Sequence, residues 1–539
     1  MNGWKYKLKK TLLPKKYKIL SPPRKETNEA INILDKRFNK RFGFKTPDGG
    51  SLKSSTIQHL LDLLGEIPFV SSSTSLFFCY FAVVLINPSK VKLWQKENSK
   101  KTNDIIEKFT VGRDRELDIH LAPFDLLGSM AHSIMLERIQ LLDKQELKVI
   151  LKECKKIYNE EIKEGKFTII AGMEDVHSQI EFSLTSRIGD IGKKIHSGRS
   201  RNDQVLVDLK MYLRFKIEEI TVQVKDLFDI LQEKSELHKN DLLPGYTHLQ
   251  IAMPSSFGLW FGAYAESLVD DLTILQSVYK VVNKNPLGSG AGYGSNFPLK
   301  RHDTKNLLGF DDLNYNVAYA QMTRGKMEFL VAQALGVFAN TISKMAMDVC
   351  LYNSQNFGFI HLPDEMTTGS SIMPHKKNPD VAEILRGKAN KLKGLSSEIS
   401  FIQSNLPSGY HREFQLIKEI IMPALDDFLE SLSVATFMIK NLKIKENLLS
   451  DAKYDLIFSV ENVNQKVMDG IPFRDAYKAI GNEIEKGLYT PMKNLNHTLE
   501  GSIGNLCNKE IEGMMNEVIG SFNFEKVHKA YEELLNFEA

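Results

Sequence analysis

QVLVDLKMYLRFKIEEITVQVKDLFDIL, residues 204–231, sets Leu206, Leu209, Leu213, Ile217, Ile220, Val224, Leu227 and Leu231 at steps of three and four residues, with no proline until Pro244. That recurrence is a helical seam of coiled-coil type. At 1.5 Å per residue, an uninterrupted helix here would run on the order of 50 Å, which suits a bundle of long helices. Similar spacing predicts helices over residues 257–284, 321–352, 379–403 and 412–441. Strand signals are nearly absent, Phe167-Thr168-Ile169-Ile170 being the best of a weak set. The expected fold is all-α, a central bundle over residues 201–447 flanked by smaller helical domains at 91–200 and 448–539, preceded by an extension of unknown role at 1–90. Apolar seams of such length often continue across subunits, so an oligomer is expected.

Outward from the bundle, composition limits the partners. The 539 residues carry 70 Lys and Arg against 67 Asp and Glu, a net charge of +3, which gives no sustained positive field for nucleic acid. A small-molecule partner is expected. Four scattered cysteines (Cys79, Cys154, Cys350, Cys507) build neither a disulfide framework nor a paired metal site, which fits a reducing cytoplasm. The apolar run Ser75 to Ile86 is shorter than the roughly 20 residues that a spanning helix needs. No HExxH, CxxC pair or carboxylate cluster speaks for a metal. The glycine-rich Pro286-Leu287-Gly288-Ser289-Gly290-Ala291-Gly292-Tyr293-Gly294 lacks the spacing of a nucleotide loop and reads as a turn between helices.

Three polar segments interrupt the helices. Thr368-Gly369-Ser370-Ser371-Ile372-Met373-Pro374-His375-Lys376-Lys377-Asn378-Pro379-Asp380 reads as a mobile loop feeding a helix, with Asn378 as N-cap and Pro379 in the first helical position. The free N-H groups at that helix start, with Lys376 and Lys377, suit a carboxylate. His196-Ser197-Gly198-Arg199-Ser200-Arg201-Asn202-Asp203-Gln204 precedes the long helix as a polar, capped entry. Pro244-Gly245-Tyr246-Thr247-His248-Leu249-Gln250 reads as a turn that ends the long helix and leads to a threonine-histidine pair. Taken singly, each of these residues is as readily a cap or a surface polar group.

Taken together, the first segment resembles the signature loop of the fumarase/aspartase superfamily, and the other two resemble the motifs of the argininosuccinate lyase family within it. The resemblance runs from about Lys92 to the C-terminus, through Gly128-Ser129-Met130-Ala131-His132, Glu174-Asp175-Val176-His177 and Tyr410-His411-Arg412-Glu413-Phe414-Gln415-Leu416-Ile417-Lys418. It implies a cofactor-free carbon-nitrogen lyase that splits argininosuccinate into arginine and fumarate, the last step of arginine biosynthesis. It further implies a homotetramer whose motifs meet from different subunits. Ser370 would be the base, with Lys376 and Asn378 holding the carboxylate of the carbanion. His248, oriented by Glu383, would relay a proton to the departing nitrogen. Ser129, His177, Ser200, Arg201, Asn202, Thr247, Tyr410, Gln415 and Lys418 would bind substrate.

Three features depart from the family pattern. His375 stands where glutamine is common and is more reminiscent of adenylosuccinate lyases, which keeps that substrate as an alternative. The stretch Tyr319 to Arg324 is also atypical. The family pattern begins near Val91, so residues 1–90 are either an appended segment or the product of a mis-assigned start. The family also includes lens crystallins that keep the fold without activity, but the retention of Ser370, His248, Lys376, Asn378 and Glu383 together argues against a silent protein.

Overall fold

The computed structural model describes residues 104–539, apart from Ala171 and Asn496. The extension at 1–90, with the apolar run at 75–86 and Cys79, lies outside the described residues. Two units make up the fold: one holds residues 104–122 and 152–189, the other 123–151 and 190–539.

The first unit is a set of short helices tied by polar contacts. The Asp118 carboxylate accepts from the Val176 N-H at 3.4 Å, and the Arg115 guanidinium donates to the Met173 carbonyl at 2.6 Å. Asp175 caps helix Val176–Ile188 by accepting from the Ser178 N-H at 2.8 Å. Residues 167–170 form no strand. Instead the Ile170 N-H donates to the Gln179 side chain at 3.0 Å, so a glutamine takes the place of a ladder partner.

The second unit contains a bundle of long helices, built on α1 (Arg201–Leu237), α2 (Phe257–Val282), α3 (Lys326–Tyr352), α4 (Asp380–Leu392) and α5 (Phe414–Asn441). All eight seam residues of α1 are essentially inaccessible to solvent. They face α2 on one side and α5 on the other, α2 packs on α3, and α3 packs on α4. Two predicted helices break. The residues before α3 form a separate helix, Val317–Met322, because Gly325 adopts φ +76°, at a place where any side chain would strike Gln403. The segment after α4 restarts at Leu395–Gln403 beyond Gly394. Among the described residues, α3 alone is long and apolar enough to cross a membrane, and its Leu335, Phe338, Ala339, Ile342 and Ala346 are buried within the bundle.

The chain is all-α with small strand pairs at its corners. Strand β1 (Leu242–Thr247) pairs antiparallel with β2 (Gln250–Ser256), and β3 (Lys284–Asn285) pairs parallel with β4 (Asp312–Leu313). The pair of β5 (Ile360–His361) and β8 (Lys443–Ile444) and the pair of β6 (Thr368–Gly369) and β7 (Lys377–Asn378) are both antiparallel. Because α1 ends at Leu237, Pro244-Gly245 does not terminate it. The dipeptide lies inside β1, where the register shifts between Pro244 and Tyr246.

Two cations are buried in α1. The Arg214 guanidinium donates to Asn283 Oδ1 and to the Leu308 carbonyl, both at 2.9 Å, contacts the Tyr531 hydroxyl, and lies 4.0 Å from the Phe310 ring centre. It fastens the bundle to the C-terminal helix Phe524–Asn536. Among the described residues Lys210 reaches only the Val282 carbonyl, at 3.5 Å, and burial, reinforced by Lys284 and Arg214, pushes its ammonium down to about 7. An unfolded lysine keeps its proton to about 10.4, so between pH 7 and 10 the unfolded chain binds more protons and stability rises with pH. Lys210→Met is therefore expected to raise the melting temperature at pH 6 and to flatten its rise between pH 7 and 10, with an effect of at most about 5 kcal/mol. Calorimetry at several pH values reads this out, and an unchanged slope would refute it.

Candidate active site

The N-terminus of α1 is built by a reciprocal cap. The Ser200 hydroxyl accepts from the Asn202 N-H at 3.3 Å, while Asp203 Oδ1 accepts from the Ser200 N-H at 2.7 Å. The Ser200 hydroxyl hydrogen thus remains available to a ligand. Arg201 and Asn202, both half-buried, open the helix beside it, where the helix dipole favours an anion. Ser129 joins this cluster from helix Ala122–Arg138: it is buried, donates to Asp125 Oδ1 at 3.3 Å and accepts from the Arg199 guanidinium at 3.0 Å. His132, one turn on, donates from Nε2 to the Ser197 carbonyl at 2.8 Å. Burial, aided by the charge of Arg199, holds the His132 imidazolium form well below its usual range, so the ring is neutral.

Asp203 also holds the glycine-rich loop. Its Oδ2 accepts from the N-H of Gly288 at 2.9 Å and of Gly290 at 3.0 Å, and it is fully buried. Burial pushes its carboxyl up to about 6 against the pull of those N-H groups and of Arg199. On the loop's other side Gln321 Nε2 donates to Ser289 Oγ at 3.0 Å and to the Gly290 carbonyl at 3.1 Å. Sequence reasoning assigned no role to Asp203, Arg199 or Gln321. The Ser-x-x-Asp spacing of a capping box was the available signal for the first.

Thr247 and His248 stand at the tip of the β1–β2 hairpin. The two-residue turn is His248-Leu249, with φ of +53° and +59°, a left-handed pair usually given to Asn-Gly. Such a backbone costs on the order of 1 kcal/mol or more per non-glycine residue. The hairpin is braced behind its tip by Tyr246, whose ring lies 5.5 Å from that of Phe357 and 6.2 Å from that of Phe359. Thr247, His248, Leu249 and Gln250 are all exposed, and His248 makes no hydrogen bond with a described residue.

The signature loop is closed at its base by β6 and β7. Asn378 is consequently not the N-cap of α4. Its backbone is in the ladder with Thr368 and its amide leans on Thr368 Oγ1 at 3.5 Å, while α4 begins at Asp380 with Pro379 as the residue before it. At the start of the loop, Ser370 Oγ accepts from two backbone N-H groups, those of Ile372 at 3.3 Å and Met373 at 3.1 Å. Lys377 is paired with Asp364, whereas Lys376 is exposed and forms no ion pair among the described residues. Glu383 is exposed in the first turn of α4 and makes no hydrogen bond to His248 within the chain.

Of the remaining candidates, Tyr410 precedes α5 with its ring 6.3 Å from that of Phe414, Gln415 is half-buried in the first turn of α5, and Lys418 is buried one turn on. His177 is buried near the start of Val176–Ile188. One chain thus brings Ser129 and Ser200 together through Arg199 and the cap of α1. No hydrogen bond joins Ser370, Lys376, His248 and Glu383 to one another.

A family model described as lyase matches residues 96–394. The argininosuccinate lyase of Parabacteroides distasonis is 58% identical over 445 residues, taking in 83% of this chain and 99% of that protein. The argininosuccinate lyase of Bacteroides fragilis is 59% identical over 444 residues, or 82% and 99%. Among solved structures, an EDDS lyase in complex with formate superposes with a TM-score of 0.64 at 20% identity over 81% of this chain and 95% of that one. A class II fumarase from Schistosoma mansoni gives 0.55 at 16% identity over 77% and 95%. The long-helix bundle, the loop around Ser370 and these similarities lead to one assignment: the chain belongs to the argininosuccinate lyase family of the fumarase/aspartase superfamily.

Proposed function

We propose that the chain acts in the cytoplasm as a homotetramer that reversibly eliminates arginine from argininosuccinate to leave fumarate. Ser370 removes a proton from the succinyl carbon beside one carboxylate. The C-N bond on the neighbouring carbon then breaks, and His248 passes a proton to the guanidinium nitrogen that leaves. A serine hydroxyl is a feeble base unless its alkoxide is stabilised, and the pair of N-H groups on Ser370 Oγ supports that role directly. This is the observation on which the reading rests most heavily. Lys376 and Asn378 would hold the carboxylate that gains charge as the carbanion forms. Ser200, Arg201 and Asn202 would bind the succinyl carboxylates at the start of α1, as guanidinium forks and helix N-termini do. Ser129, His177, Thr247, Tyr410, Gln415 and Lys418 would hold the rest of the substrate.

The exposure of His248, Lys376 and Glu383 in one chain supports completion of the site by other copies. His375 in the loop favours adenylosuccinate as a second reading. Purified protein should release fumarate, followed by its ultraviolet absorbance, together with arginine from argininosuccinate and nothing from adenylosuccinate. Turnover of adenylosuccinate alone would replace the substrate assignment.

A further inference from the structure

The Asp203 carboxylate is the meeting point of two segments distant in sequence. Oδ1 takes the Ser200 N-H, and Oδ2 takes the N-H groups of both Gly288 and Gly290. Two amides converge on one oxygen because Gly288 and Gly290 sit at φ +85° and +60°, forming a backbone nest of the kind that cradles anions. The anion here is a side chain of the protein itself. Side chains could not replace the glycines freely: at 288 a Cβ would lie 2.9 Å from Arg301 Cγ, and at 292 it would lie 2.8 Å from Gln321 Cγ. Arg301 fixes the loop's start through the Leu287 carbonyl at 3.1 Å and its far neighbour through the Asn314 carbonyl at 2.7 Å. Gln321, within the atypical stretch, holds Ser289 and Gly290.

We infer that Asp203 is a positioning residue: its carboxylate sets the α1 N-terminus that carries Ser200, Arg201 and Asn202 in one register against the 287–290 loop, and so fixes the dicarboxylate end of the site. This rests on the proposed role of those three residues toward the succinyl carboxylates. An amide at 203 would turn an N-H donor toward the Ser200 N-H or toward the glycine N-H groups, which breaks one side of the tie while nearly conserving volume.

The test is titration calorimetry of the intact protein and of Asp203→Asn with succinate and, separately, with L-arginine, beside turnover of argininosuccinate. Succinate affinity is expected to fall about tenfold or more while arginine affinity changes less than about twofold. Succinate affinity unchanged, or both affinities lost alike in a folded oligomer, would overturn the positioning role. If Asp203→Asn fails to assemble, Gln321→Ala decides. It releases the loop from the opposite side and should weaken succinate selectively by a few-fold, and equal binding of succinate to Gln321→Ala and wild type would overturn the inference. A selective loss of succinate in a protein whose wild type does not split argininosuccinate would instead sink the substrate assignment and support the positioning of a dicarboxylate site.

Discussion

Ser370→Ala is expected to lower kcat for argininosuccinate by about 10³- to 10⁴-fold, the upper range for loss of a general base, while succinate binding and oligomer mass stay unchanged. The size follows from the geometry. The Ile372 and Met373 N-H groups that would stabilise the serine alkoxide have no other function once the oxygen is gone, and no neighbouring hydroxyl accepts both of them. Ser371, the next residue, is exposed and receives neither bond. The β6–β7 ladder at the base of the loop does not involve the Ser370 side chain, so the variant should fold as the wild type does. Measuring initial fumarate release under saturating substrate checks it, and a variant retaining most of its kcat would exclude Ser370 as the base.

The second large effect is a recovery. Ser370→Ala and His248→Asn should each be inactive alone, yet co-expressed in equal amounts they should regain about a quarter of wild-type activity if each site takes the two residues from different subunits. Half of the sites then draw an intact serine and half an intact histidine, independently. If both residues came from one chain, every site would carry one lesion and nothing would return. Asparagine is the appropriate replacement at 248 because it tolerates the left-handed backbone found there.

The bundle was legible because its signal is redundant. Eight apolar residues at helical spacing all had to be buried on one face of α1, and all are. The cap at Ser200 was legible for a similar reason, being local. What escaped were elements decided by distant partners. The hairpin from Leu242 to Ser256 contains Pro244, Gly245 and Pro254, which discourage strand pairing, and Tyr246 packing on Phe357 and Phe359 braces it. Asn378 carries the residue type of an N-cap, but pairing with Thr368 takes its backbone first. The helix predicted over 321–352 is broken at Gly325, whose φ of +76° no helix accommodates. At the site, the order of motifs was readable. The role of Asp203 required knowing that residues 288 and 290 return to the start of α1.

The strained hairpin tip carries a consequence for anyone engineering this protein. His248 and Leu249 occupy a conformation that asparagine and glycine adopt more cheaply, so the pair most damaging to proton transfer is also the pair that best suits the turn. A library selected for heat resistance alone should enrich Asn-Gly at these positions and, in doing so, steadily collect well-folded, inactive proteins.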